Sequence, residues 1–195
     1  MTYRKKRTTK ETNIDIELSF ENTETNINTG VGFLDHMLTL FSFHSGISLN
    51  IEVDGDTYVD DHHTVEDIGI VIGQLLLEAI KDKQSFARYG SFYIPMDETL
   101  ARAVTDISGR PYLSFNAEFS REKVGTFDTE LVEEFFRGLV INARLTTHID
   151  LLRGGNTHHE IEGIFKAFAR SLKISLSAND YEGIPSSKGV IEWLR

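Results

Sequence analysis

Two stretches of the chain, HHTVEDIGIVIGQLLLEAI at residues 62–80 and HHEIEGIFKAFARSLKISL at residues 158–176, begin with the same pair of adjacent histidines. A glutamate follows the first histidine of each pair by four residues, as Glu66 and Glu162. Apolar residues then recur every three or four positions in both stretches, which is the period of an amphipathic helix. The sequence therefore predicts a helix that occurs twice, each copy carrying the motif His-His-x-x-Glu at its start.

The segments around these two helices are duplicated as well. A second helical pattern precedes each helix, GFLDHMLTLFSFHSG at residues 32–46 and DTELVEEFFRGLVINAR at residues 128–144. Alternating apolar residues predict strands before and between the helices. The strand candidates are residues 4–10, 13–20 and 47–53 in the first half and residues 89–97, 100–108, 111–119 and 147–152 in the second. This order indicates one βαβα unit that was duplicated and fused.

We therefore predict an α+β fold of two tandem, pseudo-equivalent halves, each a mixed β-sheet with two helices packed on one face. Residues 1–90 carry the first His-His-x-x-Glu motif and residues 91–178 carry the second. The remaining residues, 179–195, belong to neither half and are interpreted as a substrate-binding tail. The motif recurs after 96 residues (62 to 158), far beyond the ~20–50-residue period of solenoid repeats.

Composition and charge exclude several classes of function. The 195 residues carry a formal net charge of −10, whereas sequence-independent nucleic-acid binding needs a basic surface. The chain contains no cysteine, which excludes disulfides and thiolate metal ligands. No apolar run approaches the roughly 18 residues of a membrane span, and the N-terminal segment lacks the apolar stretch of a secretory signal. We predict a cytoplasmic protein that binds neither nucleic acid nor a membrane.

The repeated motif predicts metal ligands. A helix turns about 100° per residue, so the first histidine and the glutamate share a face while the second histidine points elsewhere. Each helix would supply two groups to one ion and one group to another, and two helices would serve two ions. The predicted ligands are His62, His63, Glu66, His158, His159 and Glu162, completed by His36 and His148. Such a nitrogen-rich, octahedral site favours Mn, Fe or Co, with Zn as an alternative, and Asp60 and Asp61 are candidates to orient the rings.

Cationic and hydroxyl side chains elsewhere predict an anion site. The tail segment PSSKG, residues 185–189, combines hydroxyls, an ammonium group and flexible backbone N–H groups, which together suit a phosphate. Lys166 lies two turns after His158, roughly on the metal-bearing side of its helix. The phosphate candidates are Arg88, Arg110, Lys166, Ser186, Ser187 and Lys188.

Four segments resemble the signature segments of the imidazoleglycerol-phosphate dehydratase family of histidine biosynthesis. They are GFLDHMLTLFSFHSG, DDHHTVED, NTHHEIEGIFKAFARSL and PSSKGVI, and the resemblance runs from RTTKETNI to the C-terminal tail. The chain resembles the monofunctional form, since it has no room for the fused phosphatase domain of some members. One departure is Ser187, where the family pattern has threonine, and the hydroxyl group is retained.

The resemblance implies dehydration of imidazole glycerol phosphate to imidazole acetol phosphate at a site with two Mn²⁺ ions per subunit. It implies a metal-bound imidazolate whose electrons expel the neighbouring hydroxyl through a diazafulvene intermediate. It assigns acid–base catalysis to Glu11, with His44 as the next candidate, and it matches the metal ligands and phosphate candidates given above. It also implies a shell of twenty-four subunits built from trimers, with metal sites shared between subunits.

Two other functions remain open from the sequence. A dinuclear metallohydrolase would use the same ligands with a metal-bound hydroxide as nucleophile, and it would release phosphate or split its substrate. A metal-stapled assembly protein would use the ions only to join subunits, and it would have no need of the basic tail. Product analysis distinguishes the hydrolase from a dehydratase, which leaves the phosphate attached.

Overall fold

The computed structural model describes residues 1–83, 85–178, 185–186 and 191–193. Its elements fall into two series with the same order, apart from a short hairpin that is added in the second. The first series is β1 (Thr2–Thr8), β2 (Thr12–Ser19), β3 (Asn26–Asn28), α1 (Gly32–Ser45), β4 (Ser48–Gly55) and α2 (His62–Asp82). The second series is β5 (Tyr89–Met96), β6 (Thr99–Asp106), β7 (Tyr112–Asn116), β8 (Lys123–Val124), β9 (Phe127–Asp128), α3 (Leu131–Ala143), β10 (Thr146–Arg153) and α4 (Thr157–Leu176).

Each series forms a four-stranded sheet, and the two strand orders are equivalent, β1-β2-β4-β3 and β5-β6-β10-β7. In both sheets the last pair is parallel and the other two pairs are antiparallel. The second series adds the β8–β9 hairpin. The predicted α+β fold, with a mixed sheet and two helices in each half, is confirmed. The sequence does not predict β3, β8 or β9, because strands of two or three residues are too short to show alternation.

The helices lie between the two sheets. Helix α2 packs on β1 and β2, α4 packs on β5 and β6, and the helices meet in the pairs α1–α4 and α2–α3. One hydrophobic core spans both halves, so the duplicated units share their interior. The boundaries of the two units, residues 1–90 and 91–178, stay a prediction. The core-facing residues at four-residue spacing are fully buried, namely Ile68, Ile72 and Leu76 on α2 and Ile164, Phe168 and Leu172 on α4. Within the described ranges, none of the helices has the length and apolar character that crossing a bilayer demands.

Glycines allow α2 and α3 to approach each other closely. A Cβ atom at Gly69 would clash with the carbonyl oxygen of Phe135, and a Cβ atom at Gly73 would clash with that of Leu139. Gly138 contributes a third close approach from the α3 side. This contact fixes the direction of α2, and therefore the place of the first histidine pair at its start.

The predicted tail, residues 179–195, enters the described structure only at residues 185–186 and 191–193. The Pro185 carbonyl oxygen accepts a hydrogen bond from Arg88 Nη1 at 3.0 Å. Ile191 and Trp193 pack against the hydrophobic core, and the Lys81 ammonium lies 6.0 Å from the Trp193 ring centroid. Glu192 and Ile191 also lie close against Gly109 of the second half, so the described tail residues contact both halves of the chain.

We predict that Gly73→Ala destabilises the folded protein, although alanine is the better helix former by about 1 kcal/mol. The added methyl group must displace the α3 backbone at Leu139. Overpacking of this kind costs about 1–3 kcal/mol. A thermal melt should therefore show a midpoint several degrees below that of the parent protein.

Gly32→Ala is the matched control, because a Cβ atom at the first residue of α1 meets no described atom within 4 Å. Its melting temperature should equal or slightly exceed that of the parent. Equal melting temperatures for the two variants would contradict the close contact between α2 and α3.

Candidate metal centre and substrate site

The first histidine pair opens α2, and its two rings diverge as predicted, with planes 88° apart and centroids 6.1 Å apart. His62 Nε2 lies 3.9 Å from Glu66 Oε2 on one face of the helix. His63 faces the strand ends instead, with Nδ1 3.0 Å from Asp56 Oδ2 and Nε2 3.8 Å from Glu11 Oε1. The hydrogen bond to Asp56 raises the pKa of His63. Because the Asp56 carboxylate is an acceptor, Nδ1 carries the proton and Nε2 is left to face outward.

The second pair opens α4, and a third residue joins it. His158 Nε2 lies 3.3 Å from Glu162 Oε2, and His36 Nε2 on α1 lies 3.5 Å from the same oxygen. One ligand atom from each of the three residues lies within 4.8 Å of the other two. The packing of α1 on α4 thus brings together residues that are far apart in the sequence.

His159 points away from this cluster and towards the turn between β5 and β6. Its Nδ1 lies 3.3 Å from Glu98 Oε2, and Asp97 lies in the same group of close carboxylate and imidazole atoms. The other oxygen of Glu98 accepts a hydrogen bond from the backbone N–H of Asn156 at 2.6 Å. This backbone hydrogen bond is the main cause that lowers the pKa of Glu98.

The residues of the second pair fit a divalent metal ion. Two imidazole nitrogens and one carboxylate oxygen already converge on one point, in the cluster of His36, His158 and Glu162. Imidazole and carboxylate are the donor types that suit Mn²⁺ and related first-row ions, and the chain has no thiolate to favour softer metals. The cluster also leaves its solvent side open, because His36 and His158 are each almost half exposed.

Lys166 keeps Glu162 in its ionised form. Burial alone raises the pKa of Glu162, but Lys166, together with His36 and His158, outweighs burial and lowers it. The Lys166 ammonium lies 2.5 Å from Glu162 Oε1, one helical turn further along α4. A carboxylate that stays charged inside the protein is suited to holding a cation.

His44 lies two turns after His36 on α1 and faces the same helix, α4. Burial lowers its pKa, and the nearby cations Lys166 and Arg170 lower it further. The ring of His44 is therefore neutral at pH 7 and can accept a proton.

Asp56, rather than Asp60 or Asp61, is the carboxylate that orients a ring of the first pair. Asp60 accepts a hydrogen bond from the backbone N–H of His62 at 2.9 Å, so it caps the helix start. Asp61 is partly buried, and burial raises its pKa. Sequence reasoning missed Asp56 because only the turn from β4 to α2 brings it to His63.

The structure does not bring His148 to either histidine pair within the chain. It lies on β10 beside the fully buried Ile149, so it occupies the exposed face of the sheet, opposite to α4. Its ring centroid is 5.7 Å from that of Tyr112 on the same face. As a metal ligand, His148 stays a prediction that requires another chain.

Two of the predicted phosphate-binding residues converge at Asp106. Arg88 Nε donates to Asp106 Oδ1 at 2.8 Å, and Arg110 Nη2 lies 3.9 Å from Asp106 Oδ2. The described tail residues Pro185 and Ser186 are adjacent to this cluster through the hydrogen bond from Arg88 to the Pro185 carbonyl. Arg110 is the more accessible of the two arginines, with a side chain that is 64% exposed against 13% for Arg88. Ser187 and Lys188 lie outside the described residues.

The arginine cluster and the metal-type cluster lie at opposite ends of α4. The backbone N–H of Arg88 donates to the Ser175 carbonyl near the end of the helix, whereas Glu162 stands near its start. Glu162 and Ser175 are 13 positions apart, which is about 20 Å along the helix at 1.5 Å per residue. Within one chain, the predicted phosphate-binding residues at Arg88 and Arg110 are therefore far from the predicted metal ligands at Glu162.

Glu134 is a candidate that sequence reasoning missed. Helices α1 and α3 both end at a residue in the left-handed region, Gly46 and Arg144. Counting ten residues back from each gives His36 on α1 and Glu134 on α3. The common helix ends were the available signal, and they make Glu134 on α3, which packs on α2, the counterpart of His36 on α1, which packs on α4.

A cleft of about 580 Å³ opens beside the start of α4. Arg121 and Lys123 stand in its wall with His158, so the loop and hairpin added in the second half place two cations beside the second pair. The residues that line the cleft are Glu98, Arg121, Lys123, Val124, Gly125, Gly155, Asn156, Thr157 and His158.

Comparisons with known proteins show the family of the chain. The family model for imidazoleglycerol-phosphate dehydratase matches residues 29–172. The chain is 82% identical over 193 residues to the imidazoleglycerol-phosphate dehydratase of Staphylococcus carnosus strain TM300, covering 98% of this chain and 100% of that protein. It is 73% identical over 192 residues to the same enzyme of Staphylococcus aureus strain JH9, covering 98% and 100%.

Two solved structures are similar to the fold. The imidazoleglycerol-phosphate dehydratase of Staphylococcus aureus N315 superposes with a TM-score of 0.86 at 72% identity, covering 92% of this chain and 100% of that one. The Pyrococcus furiosus enzyme superposes with a TM-score of 0.83 at 36% identity, covering 95% and 99%. With its fold and its sequence in agreement over nearly the whole length, the chain belongs to the imidazoleglycerol-phosphate dehydratase family of hydro-lyases.

Proposed function

We propose that the chain dehydrates imidazole glycerol phosphate to imidazole acetol phosphate in histidine biosynthesis, with two Mn²⁺ ions per subunit. The observation that carries this proposal is the convergence of His36, His158 and Glu162 on one point, with a second histidine pair in the equivalent place of the other half. The proposed ligands are His36, His62, His63, Glu66, His148, His158, His159 and Glu162, with His148 supplied by another chain and Glu134 as a further candidate at the first histidine pair. When bound, the ions supply Lewis acidity that favours loss of a proton from the substrate imidazole.

Glu11 is the proposed acid–base group. Its side chain is 52% exposed, and the nearest charged or imidazole group is His63, at 3.8 Å. Its carboxylate makes no hydrogen bond to any described residue, so its lone pairs are available to take the C–H proton next to the departing hydroxyl. His44, which is neutral at pH 7, is the second candidate for proton transfer.

The phosphate group of the substrate suits the arginine cluster. Arg88 and Arg110 present guanidinium groups at Asp106, and Ser186, Ser187 and Lys188 follow in the adjoining tail. Guanidinium groups match phosphate oxygens in charge and geometry. Lys166 stays a phosphate candidate at the metal end, where its pair with Glu162 would place it beside the arginine cluster of another subunit.

The separation of about 20 Å along α4 supports a site completed by two chains. One small substrate cannot contact Glu162 and Arg110 of the same chain across that distance. We therefore propose that one subunit supplies the histidine pairs and another supplies the arginine cluster, within the shell of twenty-four subunits that the sequence resemblance implies.

Metal removal tests the proposed reaction. Treatment with a chelator should abolish formation of imidazole acetol phosphate, and added Mn²⁺ should restore it, because the histidine clusters have lost their ions. Inorganic phosphate measured in the same reactions should stay at background, as expected of a dehydratase. Unchanged product formation by the stripped protein, or release of phosphate in step with turnover, would contradict the proposal.

The two kinds of carboxylate should respond differently to substitution. Glu11→Gln should lower kcat by ~100-fold or more, the range of general acid–base effects, and should leave the metal content near that of the parent. Glu162→Gln should lower the metal content, because it removes an anion from the cluster that binds the ion. Metal analysis and steady-state kinetics on the same preparations distinguish the two roles. Loss of metal from Glu11→Gln with a normal kcat would reverse the two assignments.

Mixed assemblies test whether the site is shared. Glu162→Gln and Arg110→Gln should each be inactive alone, the first at the metal end and the second at the phosphate end. Co-assembled subunits should regain part of the activity, because intact Glu162 of one subunit can meet intact Arg110 of another. Activity that stays absent in the mixture, while each variant assembles normally, would place both ends of the substrate on one chain.

A further inference from the structure

The duplication places two glutamates in matched positions. Glu11 precedes Thr12, the first residue of β2, and Glu98 precedes Thr99, the first residue of β6. Each glutamate faces the second histidine of its half, at 3.8 Å for Glu11 and 3.3 Å for Glu98. Each half therefore has a glutamate carboxylate in the equivalent position. The contacts around each carboxylate determine whether it can take part in chemistry.

The contacts of the two carboxylates differ. The Glu98 carboxylate is occupied, because it accepts hydrogen bonds from the Asn156 N–H and lies against His159 Nδ1. The Glu11 carboxylate has no hydrogen bond within the described part of the chain. Glu98 is thus an anchor for the start of α4, whereas Glu11 is available for chemistry.

Glu11 is held through its backbone instead. Its N–H donates to Thr9 Oγ1 at 3.1 Å, and the Thr12 N–H donates to the same oxygen at 3.0 Å. Its carbonyl oxygen accepts from the Asp56 N–H at 3.0 Å, and Asp56 also binds the ring of His63. The position of the free carboxylate therefore depends on how firmly this turn is fixed.

A buried network fixes the turn to α2 in the first half. The Thr12 hydroxyl donates to Asp67 Oδ2 at 2.6 Å, and the same oxygen forms a close ion pair with Arg7 of β1. Thr12 and Asp67 are 3% and 6% exposed, so this contact is shielded from water. A buried carboxylate that has both a cation and a hydroxyl donor is a rigid attachment point.

The second half has no such network. The position that corresponds to Asp67, 96 residues on, is Gly163 (67 + 96 = 163). Thr99 is buried in the matched place, but its hydroxyl finds no hydrogen-bond partner among the residues that the structure describes. A Cβ atom at Gly163 would lie 3.6 Å from Thr99 Cγ2, which shows that the two positions face each other as Asp67 and Thr12 do.

We propose that Asp67 is a positioning residue, which acts through Thr12 to hold the unpartnered carboxylate of Glu11 opposite His63. This inference rests on the proposed role of Glu11 as the acid–base group. Among the described residues, the network occurs in the half whose glutamate has no hydrogen bond to its carboxylate, and there only the 3.8 Å approach to His63 is present. Proton transfer needs the base within hydrogen-bond reach of its proton, and misplacement by about 1 Å can cost on the order of 100-fold in rate.

The matched threonines provide the test. Thr12→Val removes the hydroxyl that binds Asp67 and keeps the shape of the side chain, and Thr99→Val makes the same change where no hydrogen bond is lost. Thr12→Val should lower kcat by on the order of 10-fold or more, with KM and metal content near the parent values. Thr99→Val should leave kcat within about 2-fold, since buried valine replaces an unpartnered hydroxyl. Equal kcat values for Thr12→Val and the parent would overturn the inference.

A double substitution separates positioning from general damage. If Thr12 acts through Glu11, adding Thr12→Val to Glu11→Gln should change kcat little, because the group to be positioned is already lost. If Thr12→Val lowers kcat as much in the Glu11→Gln variant as it does in the parent, then Thr12→Val harms the enzyme by another route. Full activity of the Glu11→Gln variant would overturn both the proposed role of Glu11 and this inference. A low kcat for Glu11→Gln together with a parental kcat for Thr12→Val would overturn this inference only.

Two further variants keep the test decisive. Thr12→Ser retains the hydroxyl and should recover most of the parent kcat. If Thr12→Val fails to fold, as judged by its thermal melt, Thr12→Ala takes its place, since a smaller side chain leaves room for water at Asp67. A serine variant as slow as the valine variant would exclude the hydrogen bond to Asp67 as the cause.

Discussion

Adjacent side chains on an α-helix diverge by about 100°, and that constraint organises the whole molecule. His62 and His63 cannot reach the same point, and neither can His158 and His159. The first residue of each pair lies against a glutamate of its own helix, and in the second half it also lies against His36 of the packed helix α1. The second residue of each pair lies against a strand turn, at Glu11 and Asp56 or at Glu98. Helices held between two sheets provide both kinds of neighbour at the start of each helix.

The two halves keep the same topology and have diverged in their polar contacts. Equivalent strand orders and helix ends make the residues of one half comparable with those of the other. The first half has a buried aspartate at residue 67 where the second has Gly163, and the second half has an added hairpin with Lys123 beside its histidine pair. Duplication supplied two similar clusters, and substitution around them gave the two carboxylates different surroundings.

Charge is balanced locally at the metal-type cluster. Glu162 is 7% exposed, and an isolated carboxylate at that depth would favour its neutral form. Lys166 at 2.5 Å reverses that preference, so the cluster has a charged carboxylate ready for a cation. Within one chain the same lysine is separated from Arg110 by the length of α4. The distribution of charge along this helix is therefore consistent with a substrate that bridges two subunits.

The sequence by itself determined the helices and the longer strands, the duplication and the identity of the histidine pairs. The apolar residues at four-residue spacing in α2 and α4 are fully buried, because a period of 3.6 residues places them on one face whatever the partner. The motif also determined that the paired rings diverge, since that follows from helix geometry alone. Tertiary structure decided which distant residues meet them. Helix packing brought His36 to the second pair, a strand turn brought Asp56 to His63, and the alternation of β10 put His148 on the outer face of its sheet. Such contacts join residues far apart in the chain, and periodicity within one segment contains no information about which segment packs against it.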